Sequence, residues 1–130
     1  MADISDYAWF VRDLPAAASS VLLGKSRLYA GDWNGYLCCW SDEGGLLWTA
    51  QAEDRVEGMC GASEAKPPFI CVTAGSKVNC IDAASGEGRW NHQLIGSSDL
   101  VTCSDDGNRV LATSSVYEIE LNDFIESTCW

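Results

Sequence analysis

Three pairs of adjacent carboxylates could do acid–base work: Asp42-Glu43, Glu53-Asp54 and Asp105-Asp106. Acid–base catalysis needs two groups whose surroundings push their pKa values apart. All three pairs sit among Gly, Ser, Asn and Ala residues that read as turns, where both members meet the same water. Their expected role is solvation. Asp105-Asp106-Gly107-Asn108 has the oxygen density of a calcium loop. Calcium wants about six oxygens at a spacing this stretch lacks, and turn chemistry accounts for the same four residues. The other reactive type is cysteine, with seven thiols at positions 38, 39, 60, 71, 80, 103 and 129. No CxxC pair occurs, and His92 is the only histidine. A zinc site is therefore not expected. No Ser-His-Asp or Cys-His set and no glycine-rich phosphate loop is present, so no catalytic residue, metal or cofactor is expected. The thiols read as buried, in a reducing cytoplasm.

Charge and length narrow the classes further. The chain has 130 residues and a net charge of −11. Nucleic acid is not an expected partner, because phosphate binding needs clustered Lys and Arg. No apolar run is long enough to span a bilayer, so no membrane role is expected. The start, Met-Ala-Asp-Ile-Ser-Asp, lacks the apolar stretch of a secretory signal.

The elements that must position any site repeat. Residues 27–31 are apolar, Asp32-Trp33-Asn34-Gly35 is a turn, residues 36–40 are apolar, residues 41–45 turn again, and a third run starts at Leu46. Asn-Gly between two apolar runs is a strong hairpin signal, since both residues tolerate positive φ. The layout returns at 69–74, 77–81 and Arg89-Trp90, with turns at Gly75-Ser76 and 82–86. A third copy reads as 109–113, a turn at Ser114-Ser115, 116–121, a turn at Asn122-Asp123, and Cys129-Trp130. Each copy closes on a tryptophan, Trp48, Trp90 or Trp130, and Trp9 precedes the first at a similar interval. A period near forty residues with four short strands per unit marks a β-propeller blade.

The expected fold is thus all-β: a partial β-propeller of three four-stranded antiparallel blades plus one extra N-terminal outer strand, in a single domain over 1–130. Residues 1–14 supply an outer strand of a preceding or closing blade, 19–50 blade one, 55–92 blade two and 98–130 blade three. Trp9, Trp48, Trp90 and Trp130 are expected to pack between blades. A sheet covered on both faces explains why the middle strands read as continuous apolar runs.

Residues 80–90 resemble the tryptophan-docking repeat of pyrroloquinoline-quinone-like propellers, with Asp82, the pair Ser85-Gly86, and Trp90 eight positions after the aspartate. Blade one keeps Gly44 and Trp48, with Trp40 in place of the aspartate, and blade three keeps only Trp130. Residues 104–110 and Cys39-Trp40-Ser41-Asp42 resemble WD-repeat propellers instead. This resemblance covers nearly the whole chain and implies architecture more than function. Quinoprotein dehydrogenases, which these repeats also resemble, carry a vicinal disulfide over their cofactor. Cys38-Cys39 are adjacent, but inside a strand their side chains should point to opposite faces.

Propellers close with at least four blades, so three blades read as a piece of a longer propeller or as a self-associating arc. The function implied is a non-catalytic binding or scaffold module for a protein partner, with a homo-oligomer that completes the ring as a further possibility. A fragment of a quinoprotein-type dehydrogenase is the alternative. In such folds partners meet the face formed by the outer-to-inner loops and the turns between middle strands. That face is expected to carry Arg12, Asp32, Trp33, Arg55 and Asp99, with Trp33 as anchor.

Overall fold

The computed structural model describes residues 10–118 and 123–130. Eleven strands form three antiparallel sheets. The first holds β1 (Ala18–Leu23), β2 (Arg27–Asp32), β3 (Tyr36–Ser41) and β4 (Leu46–Gln51), paired in chain order. The second holds β5 (Val56–Ala62), β6 (Phe69–Ala74), β7 (Lys77–Asp82) and β8 (Gly88–Gln93), again in chain order. The third holds β9 (Ser97–Cys103), β10 (Val110–Glu118) and β11 (Asp123–Cys129). These are the three expected blades.

Blade three departs from the expected count, with three strands among the described residues. Ser114-Ser115 makes no turn. β10 runs straight through it for nine residues, with Ser114 buried and opposite Thr128 and Ser98. Serine tolerates extended backbone, and the pair offers no Gly or Asn to take up positive φ. Trp130 consequently follows the third strand of its blade, where it trades backbone hydrogen bonds with Ala112. Its counterpart is Trp40, the last residue but one of β3, opposite Leu28, and not Trp48. Trp48 and Trp90 are true equivalents: each is the third residue of a fourth strand, opposite Cys39 and Cys80 respectively. Trp9 and the earlier part of the expected N-terminal strand lie outside the described residues, and residues 10–17 form no strand.

Blade two is covered on both sides. Its Val56, Ile70, Val72, Ile81 and Ala83 pack against Tyr29, Leu37, Cys39 and Trp48 of blade one. Its Cys60, Cys71, Val78, Cys80 and Leu94 pack towards Val101, Cys103, Val110 and Ala112 of blade three. The two faces alternate along each strand, so β6 is buried at five of its six residues.

The joint between blades one and two turns on Trp48. Its indole lies over Gly86, and its Nε1 donates to the Ala83 carbonyl at 3.0 Å. A Cβ on Gly86 would sit 2.6 Å from the indole, and the residue has φ +79°. Both facts demand glycine. The loop that presents Gly86 is shaped by Asp82, whose Oδ1 accepts from the Ala84 and Ser85 N–H groups. Arg89 donates to Asp82 Oδ2 at 2.6 Å and holds that carboxyl at about 2, below its ordinary 3.8. A depressed carboxylate stabilises the fold above its ordinary pKa, so this contribution is lost as pH falls from 3.8 towards 2. Arg27 reaches across the joint to the Ala83 carbonyl at 2.8 Å.

Trp90, the equivalent residue of blade two, is 44% exposed. The feature that buries Trp48 is the turn after the third strand of the next blade, and among the described residues blade three has no such turn.

Gly86→Ala should lower stability by about 2 kcal/mol or more, because it combines left-handed backbone with displacement of an indole. Gly88→Ala, where a Cβ meets nothing within 4 Å, should change it by less than about 0.5 kcal/mol. Urea denaturation followed by tryptophan fluorescence compares the two.

Candidate functional site

The rim made by the β2–β3, β4–β5, β6–β7 and β8–β9 connections carries the densest surface chemistry. The Trp33 ring is 54% exposed and stacks under the Arg55 guanidinium, 4.3 Å from ring centroid to Cζ. Arg55 is also fixed by Glu57, with Nη2 2.7 Å and Nε 2.8 Å from Oε1. A cation held over an aromatic face and tied to a carboxylate has little rotamer freedom left. Beside it opens a cavity of about 600 Å³ whose walls include Arg55, Glu53, Asp54 and Asp99. Tyr117 and Phe124 line its far side as an edge-to-face pair with centroids 5.1 Å apart. Glu53 is partly engaged within the molecule, since Lys77 lies 3.5 Å away and the Ser76 N–H donates to it.

Trp33, Arg55 and Asp99 thus come together on one rim. Asp32 does not join them. Its carboxylate is fully buried: Oδ1 accepts from the N–H groups of Asn34 and Tyr36, both at 2.9 Å, and Oδ2 from that of Ala16 at 3.1 Å. Asp32 shapes the turn that displays Trp33 and ties down the incoming chain, and offers nothing to a partner. Arg12 lies on the opposite rim. It donates twice to the Gly44 carbonyl, from Nε at 3.1 Å and Nη2 at 2.8 Å, and stacks over Phe10. Sequence position alone put it on the loop face, whereas its hydrogen bonds hold it to the β3–β4 turn.

Three contributors had not been singled out from sequence: Glu57, Tyr117 and Phe124. Glu57 is the second residue of β5, two positions after Arg55, within a register shift between Val56 and Gly58. The aromatic pair was hidden by the false turn at Ser114-Ser115. With β10 read as continuous, Tyr117 falls opposite Phe124, beside a register shift that follows Val116.

Five of the seven thiols are buried as expected, whereas Cys103 is half-buried and Cys129 exposed. Cys60, Cys71 and Cys80 face one another in a row across β5, β6 and β7, and Cys103 of blade three packs on them. A hydrogen bond with Cys71, then burial, pushes the Cys60 thiol far up, and burial plus Cys60 pushes Cys103 up to about 12. Thiols so shifted are neither nucleophiles nor ready metal ligands. Cys39 packs into the joint with blade two while Cys38 lies with Ala30 and Trp40 under Leu14, on the opposite face. In the Asp105–Asn108 turn, Asp106 is bonded by the Asn108 backbone N–H, the Asn108 amide and the Ser104 hydroxyl, which lowers its pKa. Its oxygens are committed to the turn.

The chain superposes on the WD40 repeats of RRP9 with a TM-score of 0.71 at 12% identity, over 89% of this chain and 39% of that one. The chain is an arc of a β-propeller. It matches the Cps50 (Swd1) β-propeller domain of Myceliophteria thermophila at TM-score 0.68 and 11% identity, over 92% of this chain and 39% of that one. BamB from Moraxella catarrhalis matches at 0.62 and 18% identity, over 85% and 35%. Both branches of the resemblance, WD-repeat and quinone-propeller-like, are therefore borne out at the level of fold. The arc spans less than half the length of each of these propellers. No protein-family model matches the chain, and no curated protein matches it significantly.

Asp32→Ala should cost about 2 kcal/mol, because three part-buried N–H groups lose the fully buried carboxylate that accepts from them. Trp33→Ala should cost less than about 1 kcal/mol, since it removes only an exposed stacking contact. Denaturation midpoints of the two variants, measured side by side, separate the buried residue from the displayed one.

Proposed function

We propose that the chain is a non-catalytic binding or scaffold module that engages a protein partner through the rim carrying Trp33 and Arg55. The observation that carries this reading is the Trp33–Arg55 stack, an exposed aromatic beneath a guanidinium that lines a polar cavity. Aromatic and arginine side chains dominate the energetics of protein contacts, and a side chain already ordered loses little entropy on binding. Glu53, Asp54 and Asp99 around the mouth, in a chain of net charge −11, suit a partner that presents lysine or arginine there. The WD40 neighbours support a protein-binding propeller. The uncovered flanks of the arc are a second place for protein contact, and a further copy of the chain fits there.

The quinoprotein reading draws no support from Cys38-Cys39, whose thiols lie on opposite faces of blade one. A reducing cytoplasm suits a fold whose joints are lined with free thiols.

Affinity capture from cell extract, with captured proteins quantified by mass spectrometry, tests the rim. Trp33→Ala and Arg55→Ala should each weaken retention of a bound protein roughly thirtyfold, as loss of an interface anchor does. Full occupancy of every captured protein in both variants would remove the rim from the function.

A further inference from the structure

We propose that the cleft between blades one and two, on the rim opposite Trp33, binds a small amphipathic acid: an apolar body that carries one carboxylate.

The cleft has a volume of about 700 Å³, within the range of small-ligand sites, roughly 300–1,000 Å³. The β1–β2, β5–β6 and β7–β8 connections surround its mouth. Both walls belong to blades whose four strands are all described. On one wall Leu22 of β1 stands opposite Tyr29 of β2. On the other, Gly61 of β5 stands opposite Ile70 of β6, with Phe69 beside them. These residues give the cleft an apolar lining.

The first observation is a hydroxyl without a partner. Tyr29 is 6% exposed, and its hydroxyl makes no hydrogen bond among the described residues. Tyrosine hydroxyls in buried positions ordinarily have a partner. Among the described residues, no side-chain oxygen sealed from solvent lacks one. The Tyr29 hydroxyl therefore opens to solvent space, and the cleft is the cavity that Tyr29 lines. Burial and then Cys39 push its pKa up from 10.0, with Arg27 near enough to oppose them, so at neutral pH it is a donor.

The second observation is a glycine that packing does not require. Glycine inside a strand weakens it and often marks the close approach of another group. At Gly31 and Gly58 that group is protein: a Cβ would lie 2.7 Å from Val56 and 3.2 Å from Thr73. At Gly61 the nearest atom would be Leu22 Cδ2 at 3.4 Å, an ordinary contact. The space in front of Gly61 is the cleft.

The third observation is an uncommitted cation in a chain of net charge −11. Arg55, Lys77 and Arg89 are each paired with a carboxylate. Lys25, on the β1–β2 turn at the mouth of the cleft, has no hydrogen bond or ion pair among the described residues. Arg27 follows on the same wall, held by the Ala83 carbonyl at 2.8 Å. The carboxylate that lines the cleft, Asp105, comes from blade three, after β9. The anionic group of a ligand therefore belongs at the blade-one end, with Lys25, Arg27 and Tyr29. An uncharged apolar molecule would leave Lys25 and Tyr29 unpaired, and a cation would meet two like charges.

Titration of the 130-residue chain with biphenylcarboxylate, followed by amide NMR, tests the site. The Lys25, Gly61 and Ile70 amides should shift together with a dissociation constant of about 0.1 mM, and those of Gly35 and Gly75 on the Trp33 rim should not. Biphenylcarboxamide has the same shape without the charge and should bind about tenfold more weakly. Lys25→Gln should weaken the acid about fivefold and Tyr29→Phe about threefold, with far-UV circular dichroism unchanged. Gly61→Val fills the cleft and should abolish binding, and the two polar variants decide the matter should that one unfold. No shifts at about 1 mM acid, shifts centred outside the cleft, or equal affinity for acid and amide would overturn the proposal. Full affinity in both Lys25→Gln and Tyr29→Phe would do the same. Trp33→Ala should bind the acid as the parent chain does, so failure of the rim and failure of the cleft give different results.

Discussion

The constraint on which the fold depends is that a sheet apolar on both faces cannot stand alone. Blade two meets it completely, with Ile70 and Val72 turned to one neighbour and Cys71 to the other. Burial without direction would let the sheets slide. The Trp48 indole, wedged on Gly86 and bonded to the Ala83 carbonyl, sets the angle at which blade one meets blade two. Asp82 and Arg89 build the turn that receives it. At the second joint Thr73 and Ser98 do the corresponding work by hydrogen bonds to the carbonyls of Asp99 and Gly75. Buried hydroxyls there replace the aromatic wedge.

The same constraint explains where reactive groups ended up. Small side chains let adjacent sheets approach closely, and cysteine is small and apolar enough to serve. Cys60 and Cys103 therefore line a joint, where neighbouring thiols and burial raise their pKa and remove them from chemistry. Carboxylates went to turns, where Asp32, Asp82 and Asp106 spend their oxygens on backbone N–H groups. On the rim that carries Arg55, Trp33 is the large aromatic left exposed for contact.

Much of this was legible in the residues. Asn34-Gly35 and Gly75-Ser76 mark hairpins by turn chemistry, and the strands at 69–74 and 36–40 follow to within a residue. The errors share one cause: position along the chain stood in for position in space. Trp130 was matched to Trp48 by interval, although interval cannot tell a third strand from a fourth once Ser114-Ser115 fails to turn. Asp32 and Arg12 were placed on the loop face by neighbourhood. A buried carboxylate that caps a turn and an arginine folded back on Gly44 are outcomes of tertiary hydrogen bonding, and no local pattern encodes them. Tyr117 and Phe124 became neighbours only through the register of β10 and β11.

Native-state hydrogen exchange, resolved by residue, is the most direct measurement of whether blade-on-blade burial holds the arc together. The slowest amides should be those of β6 and β7, opening only with global unfolding, with β1 and β8 markedly faster. If β6 exchanged as fast as those outer strands, or if each sheet opened independently of the others, interlocking of the blades would not be what stabilises the fold.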